Sequence, residues 1–193
     1  VRSRGLGDVY KRQGFEAMVP AILILTLAWT LKSMTDSLGA AEYVSGVVAN
    51  SAAGLQQLLP AIIFIVAAFL AFATGTSWGT FGILIPICIA VFPAAEPLRI
   101  ISISACMAGA VCGDHISPIS DTTIMASAGA ECKHVHHVSS QLPYALTVAT
   151  VSFITFLVAG FTQQLGIFGS AVVSWICGIS LLAGALYVLK KKF

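Results

Sequence analysis

The sequence predicts an all-α integral membrane protein built around a re-entrant helical hairpin and a broken transmembrane helix. The class follows from composition. Hydrophobic residues make up 58% of the 193-residue chain and charged residues only 9%, with a mean hydropathy of +0.93. Soluble chains carry about 25% charged residues. Apolar runs here repeatedly approach the roughly 20 residues that cross a bilayer, which leaves room for about five or six membrane segments. The hairpin and the break follow from two polar interruptions, 74–80 and 113–123, each set between strongly apolar arms. Ionisable residues in such a place are costly in lipid and point to function.

The first thirteen residues, 1–13, do not match the rest. They contain four basic residues and no initiator Met, lack helical apolar periodicity, and resemble translated sequencing-adaptor read-through. They are set aside as non-native, the alternative being a native basic cytoplasmic tail. Six basic and seven acidic residues then remain, so no basic patch for nucleic acid survives. The five cysteines are odd in number and form no CxxC pair, so no disulfide framework is expected. Most sit in apolar segments, where free Cys behaves as a small buried hydrophobe.

Segment 14–57 holds an apolar helix over 17–31, with Pro20 near its start where proline is tolerated. The polar continuation 33–49 reads as a helix leaving the membrane, with Lys32 and Asp36 spaced to pair on one face. In 58–92, arms over 58–73 and 81–92 flank Thr74-Gly75-Thr76-Ser77-Trp78-Gly79-Thr80. The second arm gives only roughly 18 Å of helix, too short for ~30 Å of hydrocarbon. A re-entrant hairpin with its polar tip at mid-depth therefore fits better than two spans, provided protein or water surrounds the turn. Gly75 and Gly79 permit that turn; the competing use of such small residues is close helix packing.

Segment 93–130 opens with a two-proline turn, continues as a Ser/Ala/Gly-rich helix over 98–112, breaks at 113–123 and resumes to 130. Segment 131–141 reads as a polar loop, and 142–193 as two ordinary spans ending in Lys190-Lys191-Lys192-Phe193. Three terminal lysines place that end in the cytoplasm by the positive-inside rule. The 131–141 loop is then cytoplasmic and the 93–97 turn external, although Arg99 on the outer side runs against the rule.

A hairpin tip meeting a helix break is an arrangement suited to an ion site: half-helix ends supply dipoles, hydroxyls supply oxygens and a carboxylate supplies charge. Sodium, a hard cation, prefers oxygen ligands. Asp121, Ser120, Thr76 and Ser77 are the expected sodium ligands, with Thr122, Thr123 and Asp114 as further ion- or proton-binding residues. Asp121 ranks first because Ser120, Thr122 and Thr123 surround it in sequence, and Asp114 second, with His115 beside it as a modulator. A carboxylate taken out of water favours its neutral forms, so a proton and a sodium ion would compete for it. The structural alternative for Asp121 is helix capping. Gly75, Gly79, Gly113 and Pro118 are the expected backbone hinges.

The strings Gly75-Thr76-Ser77-Trp78-Gly79-Thr80-Phe81-Gly82-Ile83-Leu84-Ile85-Pro86 and Gly113-Asp114-His115-Ile116-Ser117-Pro118-Ile119-Ser120-Asp121-Thr122-Thr123 closely resemble the NhaC family of sodium/proton antiporters. Leu27-Ala28-Trp29 and Leu38-Gly39-Ala40-Ala41-Glu42-Tyr43 look like the same family, so the resemblance runs from about residue 15 to the end. It implies a secondary transporter of the wider ion-transporter superfamily, multi-pass in the bacterial inner membrane. Thr76-Ser77-Trp78-Gly79-Thr80 would stand where relatives carry a Ser-Asn-Thr hairpin tip, from which this sequence departs, and 118–123 where they carry an unwound stretch. It also implies two inverted repeats, of which this chain looks like the C-terminal one, with the N-terminal repeat, lipid, sodium and protons as partners. A homodimer is compatible with it. No cofactor is expected, sodium and protons being cargo.

Rival readings are weaker. Cys132, His134, His136 and His137 are spaced too tightly for the usual zinc patterns, and a titrating loop is the milder alternative. Asp114-His115 with Ser117 or Ser120 has the composition of a hydrolytic triad, but adjacent residues do not supply its geometry by themselves. A non-transporting scaffold would make Asp121 merely structural. Within transport, the runner-up is sodium- and proton-coupled exchange of an organic acid, of the malate/lactate type known in the same family. Neither polar break holds an Arg or Lys to bind an anion, which favours cation-only exchange.

Overall fold

The computed structural model describes residues 53–192 and six isolated positions before them: Glu16, Thr26, Thr30, Met34, Ser37 and Leu38. The expectations for 1–13, for the 17–31 helix and for a Lys32–Asp36 pair fall, but for those positions, outside the described residues. The described chain is helical throughout, with no strand. In order come α1 (Ala53–Thr74), α2 (Ser77–Val91), α3 (Pro97–Ile116), α4 (Asp121–Gly129), α5 (His134–Phe161), a 3-10 turn (Gln163–Leu165) and α6 (Gly166–Lys192). Four stretches are long and apolar enough to cross a membrane: Gln56–Thr74, Pro97–Ile116, His134–Phe161 and Gln163–Lys190. This is an all-α, multi-pass membrane protein.

α2, with 15 residues, reaches only ~22 Å and falls short of a bilayer. The hairpin is asymmetric, because α1 extends to 22 residues. α3 likewise runs for 20 residues before the chain breaks, so the break follows an arm of full crossing length rather than a half-helix. The helix runs on through Gly113, which packs against the Ala68 carbonyl of α1, to Ile116, so Gly113 is a close-packing residue of α3 and not the start of the break. The polar stretch after α4 is loop only as far as Lys133; α5 starts at His134. Ser139 and Ser140 do not interrupt it, because their hydroxyls donate back to the carbonyls of Val135 and His137 at 2.8 and 2.9 Å.

α1 and α3 form the heart of the bundle. The buried positions of α3 are Leu98, Ile101, Ser102, Ala105, Cys106, Gly109, Ala110, Gly113 and Asp114, a three-and-four spacing that marks one helix face. Small residues let the two backbones close up. A Cβ at Gly109 would overlap the carbonyl oxygen of Phe64, and one at Gly113 that of Ala68. Ala67 and Ala71 of α1, Cys106 and Ala110 of α3, and Cys88 of α2 make the dry centre, with Ile63, Phe81, Leu84, Ile85 and Ile103 packed around them.

This close crossing sets the tip against the break. α1 ends at Gly75, whose φ of +68° suits a residue without Cβ and whose N–H donates to the Ala71 carbonyl at 2.8 Å. A Cβ there would stand 2.9 Å from the carbonyl oxygen of Ile119, in the middle of the break.

Candidate cation site

Two chain segments enter the site from opposite sides. From the hairpin, Thr76 is the extended N-cap of α2, and its hydroxyl accepts the Gly79 N–H at 3.5 Å while its carbonyl accepts from Thr80 at 3.1 Å. Ser77, the first helical residue, is thereby turned inward and buried. From the other side, α3 delivers Asp114 in its last turn and ends at Ser117, held extended as a residue preceding proline must be. Ser120 then takes the N-cap place of α4, its carbonyl accepting the Ile124 N–H at 2.9 Å.

Asp114 is the carboxylate these segments enclose, with 6% of its surface exposed. The Ser77 hydroxyl donates to Oδ2 at 2.9 Å and the Ser120 hydroxyl to Oδ1 at 2.6 Å. A Ser has one proton to give, so the 2.7 Å contact between Ser120 and Thr122 has Thr122 as donor. Ser120 is an N-cap whose side chain serves the carboxylate instead of its own helix. The first residue of α2 and the N-cap of α4 thus both hydrogen-bond one buried carboxyl. Among the described residues no Lys, Arg or His forms a salt bridge with Asp114. Burying a carboxylate without a counter-charge costs several kcal/mol, which the hydroxyl donors offset only in part.

Asp121 lies elsewhere. It is exposed in the first turn of α4, where its Oδ1 accepts the Thr122 N–H at 2.8 Å. Thr123 is buried, and its hydroxyl donates to the His115 carbonyl at 3.2 Å. The His115 side chain is exposed, and among the described residues its ring makes no hydrogen bond to Asp114, Ser117 or Ser120. The hydroxyls around Asp114 therefore give their protons to a carboxylate directly, with no imidazole between, which is not triad geometry. Gly79 and Gly113 are buried beside the site, whereas Pro118 is exposed. His134 faces the break, and among the described residues no cluster of His, Cys, Asp and Glu is arranged around a metal position.

Residues 5–161 match the Na+/H+ antiporter family. The chain belongs to that family. The antiporter match begins inside the segment 1–13 set aside above. Among curated proteins, an uncharacterized protein of Haemophilus influenzae is 46% identical over 180 residues, covering 93% of this chain and 33% of that protein. The malate-2H(+)/Na(+)-lactate antiporter of Bacillus subtilis is 34% identical over 113 residues, 56% of this chain and 24% of its own length. The arginine/ornithine antiporter ArcD of Halobacterium salinarum is 33% identical over 120 residues, 58% and 24% respectively. The chain thus spans about a third of the first relative and about a quarter of the other two. No solved structure matches.

Three residues reach the break in roles the sequence did not indicate: Ser117, read only as a triad candidate, His134, read only as a loop histidine, and Gln141, read as loop. Ser117 is fully buried, and its hydroxyl donates to the Phe72 carbonyl at 2.8 Å, stitching the end of α1 to the break. Its place before Pro118 was the available signal. His134 and Gln141 also reach the break, from α5, and nothing local in the sequence marks that.

Proposed function

We propose that this chain forms part of a secondary active transporter that exchanges sodium for protons, with Asp114 binding each in turn. The carrying observation is the burial of Asp114 between hydroxyls from both polar breaks, with no cationic partner among the described residues. Membership of the antiporter family supports transport rather than catalysis.

The side chains suggest how exclusive occupancy arises. While Asp114 is anionic, Ser77 and Ser120 aim their protons at it. A sodium ion needs oxygen lone pairs, so its arrival turns these hydroxyls and presents Ser77, Ser120 and the carboxylate as a hard-oxygen set. A proton on Asp114 makes that group a donor and reverses one of the same hydroxyls. Each ligand neutralises the same buried charge and displaces the same hydrogen bonds, so one leaves as the other binds. Thr76 and Thr122 flank the set. Asp121, exposed and engaged with its own helix, has no part in it on this reading.

The finer resemblance to the NhaC motifs supports one repeat of a two-repeat transporter, completed by an N-terminal repeat, in the bacterial inner membrane with a cytoplasmic C-terminus. No cofactor is required.

The test is pH-gradient dequenching in everted vesicles carrying the full-length protein. Sodium is expected to dissipate the gradient, Asp114→Asn to abolish that response, and Asp121→Asn to keep at least half of it. The opposite pattern would sink the assignment. A second reading, coupled exchange of an organic acid, is favoured by the likeness to the Bacillus malate/lactate antiporter. It requires that external malate or lactate alter the sodium response; indifference to both leaves simple cation exchange.

A further inference from the structure

The end of α3 and the break expose carbonyls that the helix itself no longer pairs, and α5 supplies donors to two of them. Gln141 Nε2 donates to the His115 carbonyl at 2.6 Å, alongside Thr123. His134 Nε2 donates to the Pro118 carbonyl at 2.7 Å; an oxygen of that kind only accepts, so Nε2 carries the proton. The other ring nitrogen, Nδ1, meets the Ser127 hydroxyl at 3.0 Å, and Ser127 also reaches the Ile124 carbonyl at 2.8 Å, which ties the ring to α4 as well. His134 and Gln141 stand seven residues apart, two turns, on one face of α5.

Neither side chain bonds to Asp114, yet their two anchor points bracket the site. His115 follows Asp114 directly, and Pro118 lies two residues before Ser120. A shift of either carbonyl changes the approach of Ser120 to the carboxylate.

We propose that His134 and Gln141 are positioning residues that clamp the helix break from α5, fix the spacing of Asp114 and Ser120, and so set sodium affinity. This rests on the site reading given above. α5 becomes a strap: if it moves relative to α3, the clamp carries the movement to the ion site.

The experiment uses the full-length protein in everted vesicles, reading half-saturating sodium and maximal rate separately. His134→Leu and Gln141→Leu each remove a donor and are expected to raise half-saturating sodium about fivefold, with the maximal rate within about twofold. His134→Gln keeps an N–H of similar reach and is expected to return the value to within about twofold of the unmodified protein. Unchanged half-saturation in both leucine variants would overturn the proposal. So would a His134→Gln protein as impaired as His134→Leu, since that pattern reports lost ring volume. If the unmodified protein shows no sodium-driven flux, the site reading fails separately. The clamp is then read by amide hydrogen exchange across 117–120, expected to quicken about tenfold in the leucine variants; unaltered exchange rules it out.

Discussion

At the scale of single residues, two serines three positions apart do opposite kinds of work. Ser120 points into the site and Ser117 away from it, toward the Phe72 carbonyl. Ser120→Ala removes an oxygen from the proposed sodium set and a donor from the buried Asp114 carboxyl, and is expected to raise half-saturating sodium about tenfold and to cost ~1–3 kcal/mol of stability. Ser117→Ala strips a carbonyl of its side-chain donor and is expected to cost ~1–3 kcal/mol, seen as a lower unfolding temperature in detergent, with near-normal sodium dependence in the protein that folds. Swapped sodium dependences would mean that the two roles are misassigned. The same scale shows why the sequence pointed first to Asp121. Crowding of hydroxyls along the chain is visible by eye, but what encloses a carboxylate is helix phase and a second segment. The phase was in fact legible: Asp114 continues the buried series Ala105, Cys106, Gly109, Ala110, Gly113, whereas Asp121 starts a new helix with a new phase. The second segment was not, because Ser77 lies 37 positions from Asp114 and no local pattern reports that distance.

At the scale of elements, the contact that aligns tip and break is the α1–α3 crossing, and its tolerance for side-chain volume is small. Gly113→Ala sets a methyl group against the Ala68 carbonyl and is expected to destabilise by ~1–3 kcal/mol as the helices part. Gly184 of α6 has open space where its Cβ would be, so Gly184→Ala serves as the control and is expected to be neutral or to stabilise by up to about 1 kcal/mol. Equal effects at the two glycines, measured by thermal unfolding in the same detergent, would show that the crossing is not tight. The two breaks and their apolar arms were readable because polarity changes abruptly there. Element ends were less so. The stretch after Lys133 reads as loop by its polarity, yet it is helical, because serines that bond back to the preceding turn and a histidine, His134, that bonds to the break are compatible with a helix.

At the scale of the whole molecule, the outward faces of α5 and α6 are apolar and exposed, as at Ile154, Phe168, Trp175, Ile176 and Tyr187. That is what spans facing lipid or a further membrane domain require. Two successive crossings return the chain to the side it left, so the short loop before α5 and the end of α6 lie on one face of the membrane. Lys133 and the run 190–192 belong to those two ends of the sequence, and the topology proposed from the positive-inside rule has that face cytoplasmic. The cysteines allow a direct check. Cys132 is exposed in that loop, whereas Cys88 and Cys106 are buried between α2 and α3. A membrane-impermeant maleimide is therefore expected to modify Cys132 in inside-out vesicles and to leave it unmodified in right-side-out ones, with Cys88 and Cys106 protected in both. Cys132→Ser should remove the orientation-dependent signal. Labelling of Cys132 in right-side-out vesicles alone would invert the topology, and with it the side from which the tip and the break are approached; the contacts around Asp114, being internal to the bundle, would stand unchanged.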